Sequence, residues 1–369
     1  MTELQSFEPS RLALARRRRG FSRSELAQKC ALKPRTITAY EHGERVPSQE
    51  AWDAMATALR FPVAFFSGPV PERLLYDGVS FRALSKTAAK RREQAIGAGE
   101  MALCLSDYVE AQFNLPAPRV PDLHPQPSPE IAAKSLRTLW GLADKPVANM
   151  VRLLESNGVR VFSLAEDTKD IDAFSFWRRE KPFIFLNTLK SPERSRFDAA
   201  HELGHLVLHQ HGQTTGRQAE IEANAFASAF LMPESSLRTH APKFPRLPDL
   251  VAAKRGWGIS VAALAHRMHR LALISDWHYQ SLCIQIQTQG YRDQEPEPMA
   301  REMSEVWPII FSTLKAEGMN RADLARRLNW PLDELRGLVF QLVLSADAGG
   351  DMSSGPNAVT SERKLRLEP

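Results

Sequence analysis

Between residues 9 and 60 the apolar positions recur every three or four residues and are broken by short polar turns, which predicts four short helices. The first covers 9–18 and ends at Gly20. Ser22 and Glu25 form a capping box that opens the second, through Lys29. Pro34 stands near the start of the third, 35–42, which stops at Gly43. The fourth begins at Pro47 or Ser48 and repeats Trp52, Met55, Ala56 and Leu59 at helical spacing. A helical period returns over 96–113, led in by a basic stretch with Ser80, Phe81, Arg82 and 86–92. The prolines at 116, 118, 121, 125, 127 and 129 exclude regular helix and predict an extended spacer or wrapping loop. Helices are expected again over 128–142 and 146–156. The period then falls to two: 159–164, 172–177 and 181–187 read as short strands of a small antiparallel sheet. Helical spacing resumes through 197–209 and 220–231, in two helices on either side of 256–260 with Ser260 as a cap, and on to about 345, where 320–328 and 331–344 read as a helix pair.

The pattern predicts a mainly α chain with a small β-sheet, an α+β fold. It divides into an all-α unit (1–68), a helical connector and proline-rich linker (69–127), a domain holding the sheet and a histidine-bearing helix (128–275), a C-terminal helical module (276–345) and a disordered tail (346–369).

The candidate chemistry lies in the helix after the strands. His201 and His205 are four apart, so a helix stacks both imidazoles on one face. That is half of a zinc site, and a catalytic zinc needs a third protein ligand. Glu220 is the candidate, at the start of a second amphipathic helix. Glu222 competes, but two residues on it points about 200° around the helix. Asn224, one turn after Glu220, is placed to bond the back of a ligating histidine. Glu202 is too close in sequence to His201 to join the same tetrahedron, and reads as the general base. His209 extends the stripe as a supporting or packing residue. Gly204 costs helix propensity, which a close approach to another backbone explains. The bare His-Glu-x-x-His pattern also arises as a plain polar stripe; the apolar residues around it and the arrival of Glu220 favour the metal reading.

The segments His201-Glu202-Leu203-Gly204-His205, Glu220 to Ala227 and Leu231-Met232-Pro233 resemble the ImmA/IrrE metallopeptidases, gluzincins with an HExxH zincin-like site. The resemblance implies Zn2+ as cofactor, His201, His205 and Glu220 as its ligands, Glu202 as catalytic base, and a protein substrate that adds along a sheet edge beside the metal. It further implies that the substrate is a transcriptional repressor, in phage, mobile-element or stress-response control. His266 and His269 are candidates for steadying the oxyanion, while Asn187 and Arg194 read as capping the loop into the helix. Ser22, Glu25-Leu26-Ala27, Ile37, Tyr40-Glu41, Gly43 and Pro47 resemble the XRE (Cro/C1-type) helix-turn-helix regulators. That likeness places base-reading residues at Arg35, Thr36 and Ala39, with Lys33, Thr38 and the 16–19 arginine run on phosphate.

Charge supports this division. Of the net +5, the first 45 residues account for the whole excess, which points to double-stranded DNA at an operator-like site as partner. The C-terminal helix pair at 320–328 and 331–344 reads either as a second helix-turn-helix or, as its mixed charges favour, as a packing or dimer module, which adds a homodimer to the partners. Cys30, Cys104 and Cys283 are too far apart for a disulfide framework, and no apolar run or signal pattern points to export or a membrane, so a cytoplasmic chain is expected. The expected function is a DNA-binding regulator with a zinc endopeptidase domain. The alternatives are a non-enzymatic transcription factor that senses metal or a ligand, and an antitoxin-like regulator bound to a partner.

Overall fold

The computed structural model describes residues 6–74, 89–125, 128–164, 173–210 and 216–343. The disordered-tail expectation for 346–369 and the basic stretch at 80–88 lie outside the described residues.

Four helices open the chain: α1 (Pro9–Arg18), α2 (Arg23–Lys29), α3 (Pro34–Glu41) and α4 (Gln49–Leu59), closed by a short 3-10 turn, Val63–Ser67. Ser22 and Glu25 make the expected capping box, and Ser48 caps α4. A long helix α5 (Ala89–Glu110) packs along α1. The proline-rich segment then wraps the next domain, donating Arg119 N to Asn157 O at 2.9 Å and Leu123 N to Val207 O at 2.7 Å. Helices α6 (Pro129–Leu139) and α7 (Met150–Ser156) precede strands β1 (Arg160–Ser163), β2 (Ala173–Arg178) and β3 (Lys181–Leu186). After them come α8 (Pro192–Leu208), α9 (Arg217–Leu231), α10 (Glu234–His240), α11 (Leu247–Ala253), α12 (Val261–Arg270), α13 (Asp276–Thr288), α14 (Val306–Ala316), α15 (Arg321–Arg327) and α16 (Leu332–Leu338). The α+β expectation holds, and the first unit is all helical.

The sheet corrects one expectation. Its order is β1-β3-β2, with β2 and β3 antiparallel but β1 and β3 parallel, Arg160 opposite Phe183 and Ser163 opposite Leu186. Alternation fixes which face each side chain takes but carries no information about strand direction. The β2–β3 turn is built on Arg179 and Glu180, both left-handed at φ 47° and 64°, as a tight two-residue hairpin requires.

The two faces of the sheet serve two cores. Phe162, Phe174, Phe176, Phe183 and Phe185 line one face, with Phe174 and Phe185 stacked at 4.5 Å, and join the buried residues of α1–α5 and α14–α16. Val161, Ala173, Ile184 and Leu186 face the other way, into the core of α6–α9 and α11–α13. The helical unit at the N-terminus is therefore packed onto the back of the sheet through continuous apolar contact, which burial of aromatic surface favours strongly.

Candidate metal centre and nucleic-acid interface

Helix α8 begins at Ser191, whose hydroxyl accepts from Arg194 N, with Pro192 at its first turn. Asn187 accepts from Leu189 N, so it shapes the loop into the helix as expected. The first turn is anchored by buried ions: Lys254 Nζ lies 3.1 Å from Glu193, which also accepts from Met299 N, and Arg196 pairs with Glu302. Against α8 lies α9. A Cβ on Gly204 would meet Ala223 Cα at 3.2 Å and Phe226 at 3.1 Å, so the glycine does permit the close approach.

That approach brings His201, His205 and Glu220 together, with one potential ligand atom from each lying within 4.8 Å of the others. His201 Nε2 and His205 Nε2 are 3.1 Å apart; Glu220 Oε1 is 3.5 Å from His205 Nε2 and Oε2 is 3.7 Å from His201 Nε2. A tetrahedral zinc with bonds of about 2.0–2.1 Å sets two nitrogen ligands roughly 3.3 Å apart, so the donor set fits the ion.

The hydrogen bonds behind the rings strengthen the fit. Asn224 Oδ1 lies 3.1 Å from His201 Nδ1, a contact that requires the ring proton on Nδ1 and leaves Nε2 as a lone pair. Behind His205 the bonds run further: His205 Nδ1 is 3.0 Å from His209 Nδ1, and His209 Nε2 is 2.9 Å from Glu222 Oε2. A carboxylate only accepts, so a neutral His209 donates from Nε2 and must accept at Nδ1. His205 then donates from Nδ1, and its Nε2 is also a lone pair. Two nitrogen lone pairs facing each other beside a carboxylate repel unless a cation sits among them. Burial, then the neighbouring His205, pushes the His201 imidazole down to about 4, which keeps it neutral. Burial alone would raise Glu222, but the bonds from His209 and Gln218 outweigh it and hold the carboxyl below the usual range.

Glu202 is 2% exposed and accepts from Ser175 Oγ of β2 at 2.7 Å. Burial pushes its carboxyl up to about 7, against the opposing pull of His205 and the serine bond. Ser175 was missed by sequence reasoning, and no local signal marks it, because the contact spans 27 residues. Trp177 Nε1 donates to Leu206 O, so β2 lies directly against the histidine helix. His266 and His269 face elsewhere: His269 bonds Asp276 at 2.7 Å, and both rings pack against Tyr279.

In the N-terminal unit, Lys33 stands just before α3 without a side-chain capping bond and, with Arg35, is exposed; Thr36, Thr38 and Ala39 are half-buried. Thr38 Oγ1 donates back to Pro34 O at 3.2 Å. The arginine run does not face outward, which corrects its assignment to phosphate. Arg16 pairs with buried Glu41, Arg17 with buried Glu100, and Arg18 and Arg19 both with buried Glu334. The carboxylates that claim Arg17 to Arg19 lie 83 to 316 residues away, beyond any local reading.

A peptidase family model described as an IrrE N-terminal-like domain matches residues 154–269. A helix-turn-helix domain model matches 10–64. No curated protein matches the chain. Among the described residues no helix is long and apolar enough to cross a membrane. Residues 10–64 are thus similar to a helix-turn-helix domain and residues 154–269 to the IrrE N-terminal-like domain of a peptidase family, joined in one chain.

Proposed function

We propose that the chain is a DNA-binding regulator whose second domain is a zinc endopeptidase acting on a protein partner, a transcriptional repressor by the family resemblance. The observation that carries the reading is the pair of imidazole lone pairs 3.1 Å apart beside Glu220, backed on both rings by acceptors. His201, His205 and Glu220 would hold the ion. Zinc bound there supplies Lewis-acid polarisation of a scissile carbonyl and acidifies a water. Glu202 takes the proton from the attacking water and returns it to the departing amine, a role suited to a carboxyl whose pKa burial has raised to about 7. Ser175 steadies one oxygen of that carboxylate. An extended substrate would add along β2, the outer strand beside the site, held through its backbone. Lys33, Arg35, Thr36, Thr38 and Ala39 would meet the major groove of an operator-like duplex, Arg35 reading bases and Lys33 contacting phosphate.

The test has two parts. Elemental analysis of protein prepared without chelator should give about one zinc per chain, retained in Glu202→Gln and weakened in Glu220→Ala. Mapping of new protein N-termini in cells producing wild type or Glu202→Gln should then show cleavages that depend on Glu202. Zinc-free wild type would sink the metal reading; zinc without Glu202-dependent termini would leave a metal-sensing regulator, the alternative in which the domain is not an enzyme.

A further inference from the structure

Residues 307–339 repeat the architecture of 9–41 at a constant shift of 298 positions, which takes Ser22 to Asn320. Helix α2, Arg23–Lys29, maps onto α15, Arg321–Arg327, without a gap, and α1 and α14 end at the same shifted place. Both second helices open with a capping box, Ser22 with Glu25 and Asn320 with Asp323. The turn before them is made by Gly20 and Gly318, at φ 63° and 80°. The turn after them is made by Ala31 and Asn329, both left-handed at φ 53° and 58°. The bonds that close this second turn correspond, Leu32 N to Ala27 O and Trp330 N to Ala325 O, each 2.8 Å. Buried positions correspond as well: Leu12 with Ile310, Leu26 with Leu324, Ala27 with Ala325, and Ile37 with Leu335. Matching of two left-handed turns, two caps and the core in one ungapped register defines a helix-turn-helix, beyond a generic helix pair.

The positions where the first unit would read DNA are acidic in the second. Arg35 corresponds to Asp333 and Thr36 to Glu334. Glu334 is 2% exposed, and its two oxygens take Arg18 Nε at 2.6 Å and Arg19 Nη1 at 2.5 Å, while Asp333 lies 3.7 Å from Arg19. The start of the third helix of the second unit is thus turned onto the end of the first helix of the first unit. Carboxylates there repel phosphate. Within the repeat, the buried pair Arg16 and Glu41 becomes Leu314 and Val339, an apolar replacement that needs no compensating charge. The other end of the second unit is fixed to the metal-binding domain: Glu155 accepts from Ser304 Oγ, Glu305 N and Val306 N at the start of α14, and Trp307 Nε1 donates to Val161 O of β1.

We infer that residues 307–339 form a second helix-turn-helix unit that does not read DNA but uses the start of its third helix to grip Arg18 and Arg19, holding the reading unit against the peptidase-family domain. The DNA half of this statement rests on the proposed reading by α3; the holding half does not.

Hydrogen exchange on the full chain tests the grip, comparing wild type with Glu334→Ala and the gentler Glu334→Gln. The expected result is about tenfold faster exchange across both 9–41 and 307–339, with α9 unchanged. Exchange of 9–41 that matches wild type in both variants would overturn the grip. Fluorescence anisotropy with a labelled mixed-sequence duplex at low salt tests the second half. Binding should fall about tenfold in Arg35→Ala and stay at the wild-type level in Arg336→Ala, which occupies the place of Thr38. Equal losses in the two variants would make the second unit a reader and overturn the inference. Absence of duplex binding by wild type would count against reading by α3, and the exchange result would still decide the grip.

Discussion

At the scale of single residues, the centre depends on which proton sits on which ring nitrogen. Asn224 sets this for His201, and Glu222 sets it for His205 through His209. Glu222 is therefore no competitor for the proposed metal site, and its value lies one ring away. Replacing His209 with Ala, or Glu222 with Gln, should weaken zinc binding about 10–100-fold in a competition titration with a chromophoric chelator. Unchanged affinity in both would show that the bonds behind His205 do not matter to the ion. Ser175→Ala should leave that affinity near wild type, since the serine hydroxyl bonds Glu202 and not a histidine of the set, while lowering any Glu202-dependent cleavage.

Among the elements, the spacing of α8 and α9 decides whether Glu220 reaches the histidines. Gly204 sits against Ala223 and Phe226, and a branched side chain there must drive the helices apart. Gly204→Val should cost about 1–3 kcal/mol in denaturant unfolding and lower zinc content with it. A variant with full zinc and full stability would show that the close approach is incidental. A second contact between elements is pH-dependent. Burial at the start of α14 pushes the Glu155 carboxyl up from 4.5 to about 7, despite the bonds it accepts. The folded chain therefore keeps a proton, between those values, that the unfolded chain has released. Stability falls as pH rises through that window. The thermal midpoint of wild type should drop between about pH 5 and about pH 8 more steeply than that of Glu155→Gln, as followed by circular dichroism. Parallel curves would remove Glu155 as the cause.

Over the whole molecule, the aromatic back of the sheet and the buried ion pairs tie the DNA-type unit to the rest of the chain. Glu100 of α5 is 1% exposed and holds Arg17 through both oxygens. Arg17→Met leaves that carboxyl buried without the guanidinium that pairs it, only Leu74 N still donating to it, and should destabilise the chain by about 3–5 kcal/mol, read as a fall in the denaturant midpoint. A loss near zero would mean that the contact opens in solution. For DNA, Lys33→Ala should reduce the salt dependence of duplex binding by about one unit of slope, the signature of one lost phosphate contact.

The chain's own pattern determined much of this. Caps and breakers at Ser22, Glu25, Gly20 and Pro34 are local, and they fix helix ends within a few residues whatever lies around them. The four-residue spacing of His201 and His205, and the placing of Glu220 and Asn224 one turn apart, follow from helix geometry alone, and the corresponding atoms do converge. Alternation marked the first two strands, but which core each face meets came from the packing. Three things were decided only by tertiary structure, each because the partner is distant in sequence. Strand direction in β1–β3 depends on the path between strands. The arginine run reads as a phosphate surface until Glu100 and Glu334 arrive from elsewhere to neutralise it. The sequence left the C-terminal helix pair open between a second helix-turn-helix and a packing module; only the tertiary structure sets the buried carboxylate of Glu334 against Arg18 and Arg19, where a buried charge must be paired.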